Sequence, residues 1–399
     1  MGTTRTFLSR RRFAGLFAAS SLLSACTGSF SPADLFSTSP KPAGPPQGGT
    51  EIGTGAVKVG LILPLSAGGN AGLAAASMRN AAEMALAEFN SQDLQLLVKD
   101  DAGSAPGAQQ AAQQVLDEGA ELILGPLFAY SVAPVGQLAR ARNVPVIAFS
   151  TDANVAARGV YLLSFLPETD VERIVGYAVG QGKRSFAAAI PDNAYGTVVE
   201  AAFKQSLGRH GARVIALERY PLDRALMQAA VRTVAQSASR VDAVFIPDGA
   251  DSVSMVVQGL AANGVDAKRV QLLGTGIWED SQIFSNGMLE GAWYAGADTS
   301  GFRTFSSRYR SRFGGDPART ASLAYDAVAL AAALTKTQGQ RRFSEAVLTN
   351  SSGFTGIDGL FRFRSDGTSQ RGLAVMRVTP SGAQIISPPP KSFGAGSGI

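Results

Sequence analysis

The chain has 399 residues, 45% of them hydrophobic and 8% aromatic, which is enough apolar material for more than one packed lobe. Its formal charge of +5 is misleading: Arg5, Arg10, Arg11 and Arg12 lie in an acid-free leader, and the rest holds 32 basic against 31 acidic residues, so a nucleic-acid partner loses its main support. With one histidine, His210, and one cysteine, Cys26, the usual zinc site is excluded, and any Cys–His or Ser-His-Asp centre would need a histidine set in a turn-like Gly208-Arg209-His210-Gly211. No cofactor is expected, and the chain reads as a non-enzyme.

Residues 1–26 read as an export signal. Arg10-Arg11-Arg12 precede an apolar run over 13–23 that is too short to span a bilayer comfortably. Leu23-Ser24-Ala25-Cys26 resembles the lipobox of bacterial lipoproteins, which implies a thiol that is acylated and becomes the new N-terminus. Residues 27–55 are rich in Pro, Gly, Ser and Thr and cannot bury enough apolar area to fold. They read as a disordered tether with a coil reach of roughly 30 Å.

The folded part begins near Val57. An apolar strand over 57–63 runs into a tight loop, Pro64-Leu65-Ser66-Ala67-Gly68-Gly69, and a helix over 73–89. A strand over 94–98 and a helix over 109–116 follow. Leu122-Ile123-Leu124 has the length of a buried strand, Gly125-Pro126 breaks it, and apolar spacing from 130 to 142 gives a helix. Asn143 and Pro145 stop that helix before a second buried strand, Val146-Ile147-Ala148-Phe149. Such a strand–helix–strand unit makes the two strands parallel neighbours with a right-handed crossover, and ligands sit beyond the carboxyl ends of such strands. Those ends lead into Ser131 on one side and Ser150, Thr151 and Asp152 on the other. An apolar run over 160–165 closes the first series.

The pattern then restarts. Strands are expected over 186–190, 214–217, 241–246 and 270–273, and helices over 171–179, 198–207, 224–236 and 252–262. Helices over 302–313, 320–334 and 343–348 come next. Late strands over 361–363 and 373–378 follow, with Asp366-Gly367 as a hairpin turn between them. The expected fold is therefore α/β: two Rossmann-like lobes with parallel sheets, joined by a multi-strand hinge. Lobe one takes 56–166 plus 297–350, lobe two takes 167–296 plus 351–386, and 387–399 is a loose tail.

Each candidate site residue has a plainer reading. Ser131 is a ligand hydroxyl or a residue capping its own helix turn. Ser150 and Thr151 line the cleft, since they end a buried strand. Asp192 holds a ligand or caps the following helix, and the cap is the plainer reading. Tyr195 is a cleft residue or packs at a helix start, and Trp278 stacks on a ligand, anchors a partner or covers the lobe edge. Tyr325 and Asp326 sit inside an apolar helix, where Asp326 needs a partner.

The element order and several local motifs resemble the type I periplasmic binding proteins of the leucine/isoleucine/valine-binding kind. The motifs are Val59-Gly60-Leu61-Ile62-Leu63-Pro64-Leu65-Ser66, Leu124-Gly125-Pro126 with Ser131, Val144-Pro145-Val146-Ile147, Asp192-Asn193-Ala194-Tyr195-Gly196 and Ala324-Tyr325-Asp326-Ala327. More narrowly, the lipobox, Gly125-Pro126-Leu127-Phe128 and Ile147-Ala148-Phe149-Ser150 look like the penicillin-binding-protein activator lipoproteins. The resemblance implies a cleft formed by Ser66, Ser131, Ser150, Thr151, Asp152, Tyr195 and Trp278, and lipidation at Cys26. In transport members a hydroxyl and backbone groups hold a ligand carboxylate, and a lobe-two acid with aromatics holds its ammonium; here Asp152 and Asn154 replace the usual small residue and threonine of the first group, and Thr275-Gly276-Ile277-Trp278 occupies the turn of the lobe-two acid. The resulting expectation is a periplasmic lipoprotein, anchored in a bacterial membrane (the outer before the inner), that regulates a peptidoglycan synthase by contact and can hold a small polar ligand. The alternative is the solute receptor of an ABC permease that imports branched-chain or related amino acids.

Overall fold

The structure, a computed structural model, describes residues 51–90 and 92–393. The export signal, Cys26, the tether up to residue 50 and the end of the tail from 394 lie outside the described residues.

The first sheet holds β1 (Glu51–Ile52), β2 (Val57–Leu63), β3 (Leu94–Asp100), β4 (Leu122–Leu124), β5 (Val146–Ala148) and β6 (Val160–Leu162), in the order β1-β3-β2-β4-β5-β6. β2 to β6 run parallel, and β1 pairs antiparallel on the edge of β3. Glu51 and Ile52, expected within the tether, thus belong to the sheet. α1 (Gly69–Glu88), α2 (Ala105–Asp117) and α3 (Ala129–Ala141) are the crossovers. Strand alternation sorts the faces: Val59, Leu61 and Leu63 of β2 enter a core with α1, while Ile62 enters one with α2 and α3. Gly60 lies under α2, where a Cβ would come within 2.9 Å of Val115. Ser104 starts α2 by accepting from Gly107 N at 3.1 Å, with Pro106 in the first turn. The Gly125–Pro126 peptide between β4 and α3 is cis.

The second sheet is built from β7 (Ser185–Pro191), β8 (Arg213–Tyr220), β9 (Ala243–Phe245), β10 (Gln271–Gly274) and β11 (Trp293–Gly296), all parallel in the order β8-β7-β9-β10-β11. Its helices are α4 (Pro167–Gly180), α5 (Ala194–Arg209), α6 (Arg224–Gln236), α7 (Ala250–Ala262) and the short α8 (Ser281–Ser285). α4 and α5 cover one face through Phe186, Ala188 and Ile190, and α6 and α7 cover the other through Ala187 and Ala189.

The chain then returns to the first core. α9 (Thr299–Phe313), α10 (Ala321–Thr337) and α11 (Glu345–Leu348) contribute Phe305, Tyr309, Leu323 and Leu348 to it. So does a small antiparallel sheet of β12 (Phe354–Gly356), β13 (Gly359–Phe363) and β14 (Ser369–Arg371), through Phe361 and Phe363. The Asp366-Gly367 turn therefore joins β13 to β14, a strand not expected, rather than to the strand over 373–378. Gly367, at φ +88°, accepts from Leu162 N at 2.9 Å; a Cβ there would strike Val160 O. Only at β15 (Ala374–Thr379) does the chain rejoin the second sheet, antiparallel to β11, with β16 (Gly382–Ser387) outermost. Residues 351–371 thus pack with the first core, and the last crossing falls at Gly372–Leu373. Beyond β16 the tail is anchored in part: Phe393 is buried, and Arg362 lies over its ring at 4.6 Å.

The two parallel sheets, each covered by helices on both faces, form a mixed α/β protein of two lobes. Three segments cross between them: 163–166, 297–298 and 372–373. The second lobe's core has a sharp test in Phe203, fully buried and stacked on Phe245 at a centroid distance of 4.8 Å. Phe203→Ala is expected to cost about 3–5 kcal/mol in urea unfolding. Leu222→Ala, at a side chain 69% exposed, should change stability by less than about 0.5 kcal/mol.

Candidate functional site

The carboxyl ends of the parallel strands carry the polar groups of both lobes, where open α/β sheets hold ligands. In lobe one, β2 ends in the loop of Ser66, which is exposed and whose N–H donates to Asp100 Oδ1 at 3.2 Å. Ser131 lies in the first turn of α3, fully buried, and its Oγ has no partner among the described residues. Beyond β5, Ser150 is buried and its Oγ accepts from Asp152 N at 3.1 Å. Thr151 and Asp152 are partly exposed. Asp152 Oδ1 accepts from Asn154 N at 3.0 Å and Nδ2 at 2.9 Å, capping a short 3₁₀ turn.

Lobe two presents the start of α4, the start of α5 and the loops after β8, β9 and β10. Tyr195, in the first turn of α5, shares a 2.8 Å hydrogen bond with the Thr275 hydroxyl, joining two strand ends. The cap of α5 is Asn193, which accepts from Gly196 N at 2.8 Å, and not Asp192, which is exposed and faces Arg219. Asp170 Oδ2 accepts from Gly276 N at 2.8 Å, and a Cβ at Gly276 would sit 3.0 Å from that same oxygen. The Asp170 carboxylate thus occupies the space a side chain at 276 would enter. Tyr220 donates to Asp248 Oδ2 at 2.7 Å.

Trp278 does not line this site. The 3₁₀ turn over Gly276–Trp278 folds the indole under β10, fully buried, where Nε1 donates to Ile246 O at 3.1 Å. Gly274 makes the room, since a Cβ there would lie 2.1 Å from the indole. The other sequence candidates stand at strand ends, and the structure adds Glu168, Asp170, Tyr220, Asp248 and Thr275. A visible signal existed for Asp170: an acid three residues after Pro167 suits a helix first turn, but with the helix start set at 171 it fell in a loop.

The lobe-two acids are short of counterions. Burial pushes the Asp170 carboxyl up to about 7, opposed by Gly276 N–H and by Arg371, with Glu168 adding to the rise. Burial also raises Glu168, helped by the charge of Asp152 from the opposite lobe, and Glu168 Oε2 is sealed without a partner. Burial raises Asp248, against the pull of Tyr220, and raises the Tyr195 hydroxyl.

Beside this cluster the three crossings meet. Arg371, 5% exposed, donates from Nε to Ser164 O at 2.9 Å. Its guanidinium and that of Arg319 each lie 4.4 Å from the Phe165 centroid, and Arg319 also lies 4.3 Å from Phe302, just after the second crossing. Arg319 pairs with the buried Asp358, and Asp326 Oδ1 accepts from Ile357 N at 2.8 Å. Burial and then the charge of Asp358 push Asp326 up to about 7, and its Oδ2 has no partner. His210 is not simply solvated: it is partly buried against α4, with Nε2 3.4 Å from Glu172 Oε1.

A pair of hinged α/β lobes with polar groups gathered at the facing strand ends defines a ligand-binding receptor. The family model for periplasmic binding proteins matches residues 56–384, and the chain belongs to that family. Among solved structures it is similar to a putative branched-chain amino acid ABC transporter from Rhodospirillum rubrum, with 18% identity, a TM-score of 0.74, and coverage of 83% of this chain and 100% of that one. It is similar to an ABC transporter substrate-binding protein from Desulfitobacterium hafniense in complex with Leu, with 17% identity, a TM-score of 0.60, and coverage of 83% and 99%. A solute-binding protein of an ABC transporter from Rhodopseudomonas palustris, in complex with 3,4-dihydroxybenzoic acid, shares 18% identity with a TM-score of 0.57, covering 84% and 98%. No curated protein matches the chain. The family's place is the periplasm, and among the described residues no helix is long and apolar enough to cross a membrane.

The raised carboxyls set a pH dependence. Between the ordinary value near 3.8 and about 7, native Asp326 keeps a proton that the unfolded chain has released. Stability from this group is therefore full below the lower value and falls as pH rises, by up to about 1.4 kcal/mol per unit. Asp326→Asn keeps the Oδ1 acceptor for Ile357 N and should lose less stability than the parent between pH 5 and 7.5. Equal losses, read from urea midpoints at the two pH values, would mean that Asp326 is not protonated in the native state.

Proposed function

We propose that the chain is the ligand-binding subunit of an ABC importer, closing its lobes on a small polar molecule and presenting the closed form to a membrane permease. The observation that carries this is the gathering of polar groups at the strand ends of both lobes, Ser131, Ser150 and Asp152 in one and Asp170, Tyr195 and Thr275 in the other, beside three crossings tied by Arg371 Nε to Ser164 O. A ligand touching both walls binds the closed form better, and that difference in affinity is what shifts the lobes. The three solved relatives are described as ABC transporter proteins, which supports the same reading. The chain works by binding and release, with no chemistry on its ligand. Regulation of a peptidoglycan synthase rests on the lipobox and the local motifs alone, and the importer reading takes precedence over it.

Acylation of Cys26 would hold the receptor at a membrane. Cys26→Ser should then move the protein from the membrane fraction to the soluble periplasmic fraction, and a variant that still pellets with membranes would contradict the anchor. Crosslinking in intact cells followed by mass spectrometry should recover importer permease subunits. Recovery of a cell-wall synthase without permease would replace this reading with the regulator.

A further inference from the structure

We propose that residues 388–393 form a strap that ties lobe two back to lobe one and holds the lobes at one angle until Phe393 leaves its seat. The inference goes beyond the receptor reading and needs only the fold. The tail leaves β16, the outermost strand of lobe two, and its Phe393 is buried against lobe one. It therefore passes between the lobes beside the third crossing, in the opposite direction.

The strap has an anchor at each end and a rest between them. At the lobe-two end, Arg173 of α4 donates from Nε to Leu373 O at 2.9 Å and from Nη2 to Ser387 Oγ at 2.6 Å. One guanidinium thus grips the chain where it enters β15 and where it leaves β16. Midway, Pro390 lies over Gly372 of the third crossing: a Cβ there would come 3.1 Å from Pro390 Cγ and 3.4 Å from Leu360 Cβ of β13. At the lobe-one end, the Phe393 ring packs on Gly353, where a Cβ would lie 2.9 Å from the ring, and sits 4.6 Å from the Arg362 guanidinium. Arg362 is itself fixed, donating to Gln370 Oε1 at 2.9 Å and to Ser351 O at 3.1 Å. The glycines at 353 and 372 leave the room that the ring and the proline fill. A tail lying loosely on the surface would need neither.

The span between the anchors resists a change of length. Pro388, Pro389 and Pro390 have φ fixed by their rings and favour polyproline II, at about 3.1 Å per residue. Each proline also turns the residue before it away from the helical conformation. The span can neither coil up nor stretch far when the lobes swing. A change of angle then has to draw Phe393 out of its seat. Lys391 and Ser392, between the prolines and the ring, are exposed, so nothing buries that stretch against release.

The test is the distance distribution between spin labels on Gln114→Cys in α2 and Leu226→Cys in α6, both exposed, in the full chain carrying Cys26→Ser. Three chains are compared: one with the tail intact, one with Phe393→Asp, and one with Gly-Ser-Gly-Ser inserted after Pro390. The insertion slackens the span while letting Phe393 reach its seat, so its melting temperature should match that of the intact tail. The intact chain should give one narrow population. The slackened chain and Phe393→Asp should each give a distribution roughly twice as broad, since a coil of glycine and serine sets no fixed length. The slackened chain decides between a strap and simple packing. If its distribution is as narrow as that of the intact tail, the strap is overturned and Phe393 is a packing residue of lobe one, whatever Phe393→Asp does. Either result leaves the receptor reading to the partner recovered by crosslinking.

Discussion

Two guanidinium groups over one phenyl ring decide how the lobes are joined. Phe165 lies in the first crossing, Arg371 begins the third, and Arg319 reaches from lobe one over both Phe165 and Phe302 beside the second. Arg371 Nε also holds Ser164 O, so the first and third crossings are tied directly. Like charges near one ring repel, and Asp358, fully buried and paired with Arg319, offsets this. Removing one partner of such a buried pair typically costs about 3–5 kcal/mol, because the other charge is stranded. The strands of each lobe set where polar groups emerge. This cluster sets how the two groups of strand ends face each other.

The cleft follows the opposite logic. At the hinge Arg319 has two aromatic faces and a carboxylate, while in the cleft Asp170, Glu168 and Asp248 form no ion pair among the described residues and Asp170 feels Arg371 only from beyond ion-pair distance. Burial without a counterion makes ionisation costly, so Asp170 and Glu168 hold protons longer than exposed acids do. That cost is carried by the folded protein and is lessened at Asp170 by the charge of Arg371. Hinge and cleft are also electrically linked, since Arg371 lowers Asp170 while Asp170 helps Arg371 keep its charge.

Much of the fold could be read from the sequence because the cores are layered. The alternation of Val59, Leu61 and Leu63 against Ile62, and the all-apolar β4 and β5, are signatures of a strand covered on both faces. Where reading fell short, local pattern lost to tertiary context. β11 is four residues ending in glycine and pairs with β15 from the far end of the chain, so no local signal marks it. β14 is Ser-Gln-Arg, a polar strand made by docking its turn on β6. Ser104 and Pro106 did announce the true start of α2, four residues before the apolar spacing begins. In the site, the family resemblance pointed to Tyr195, which shares a hydrogen bond with Thr275, and strand-end rules placed Ser150 and Thr151 just beyond β5. They failed for Trp278, whose position after a strand says nothing about which way a tight turn throws its side chain. Asp170 was hidden for a different reason: it reaches the β10 loop from another helix, a relation that spacing along the chain cannot express.

The central claim is that two pinned lobes close on what they bind. Small-angle X-ray scattering of the purified chain, titrated with a compound that raises its melting temperature, addresses this directly. The account predicts that the radius of gyration falls in proportion to occupancy and reaches a plateau at saturation. A saturated, stabilised protein whose radius of gyration does not change would contradict it.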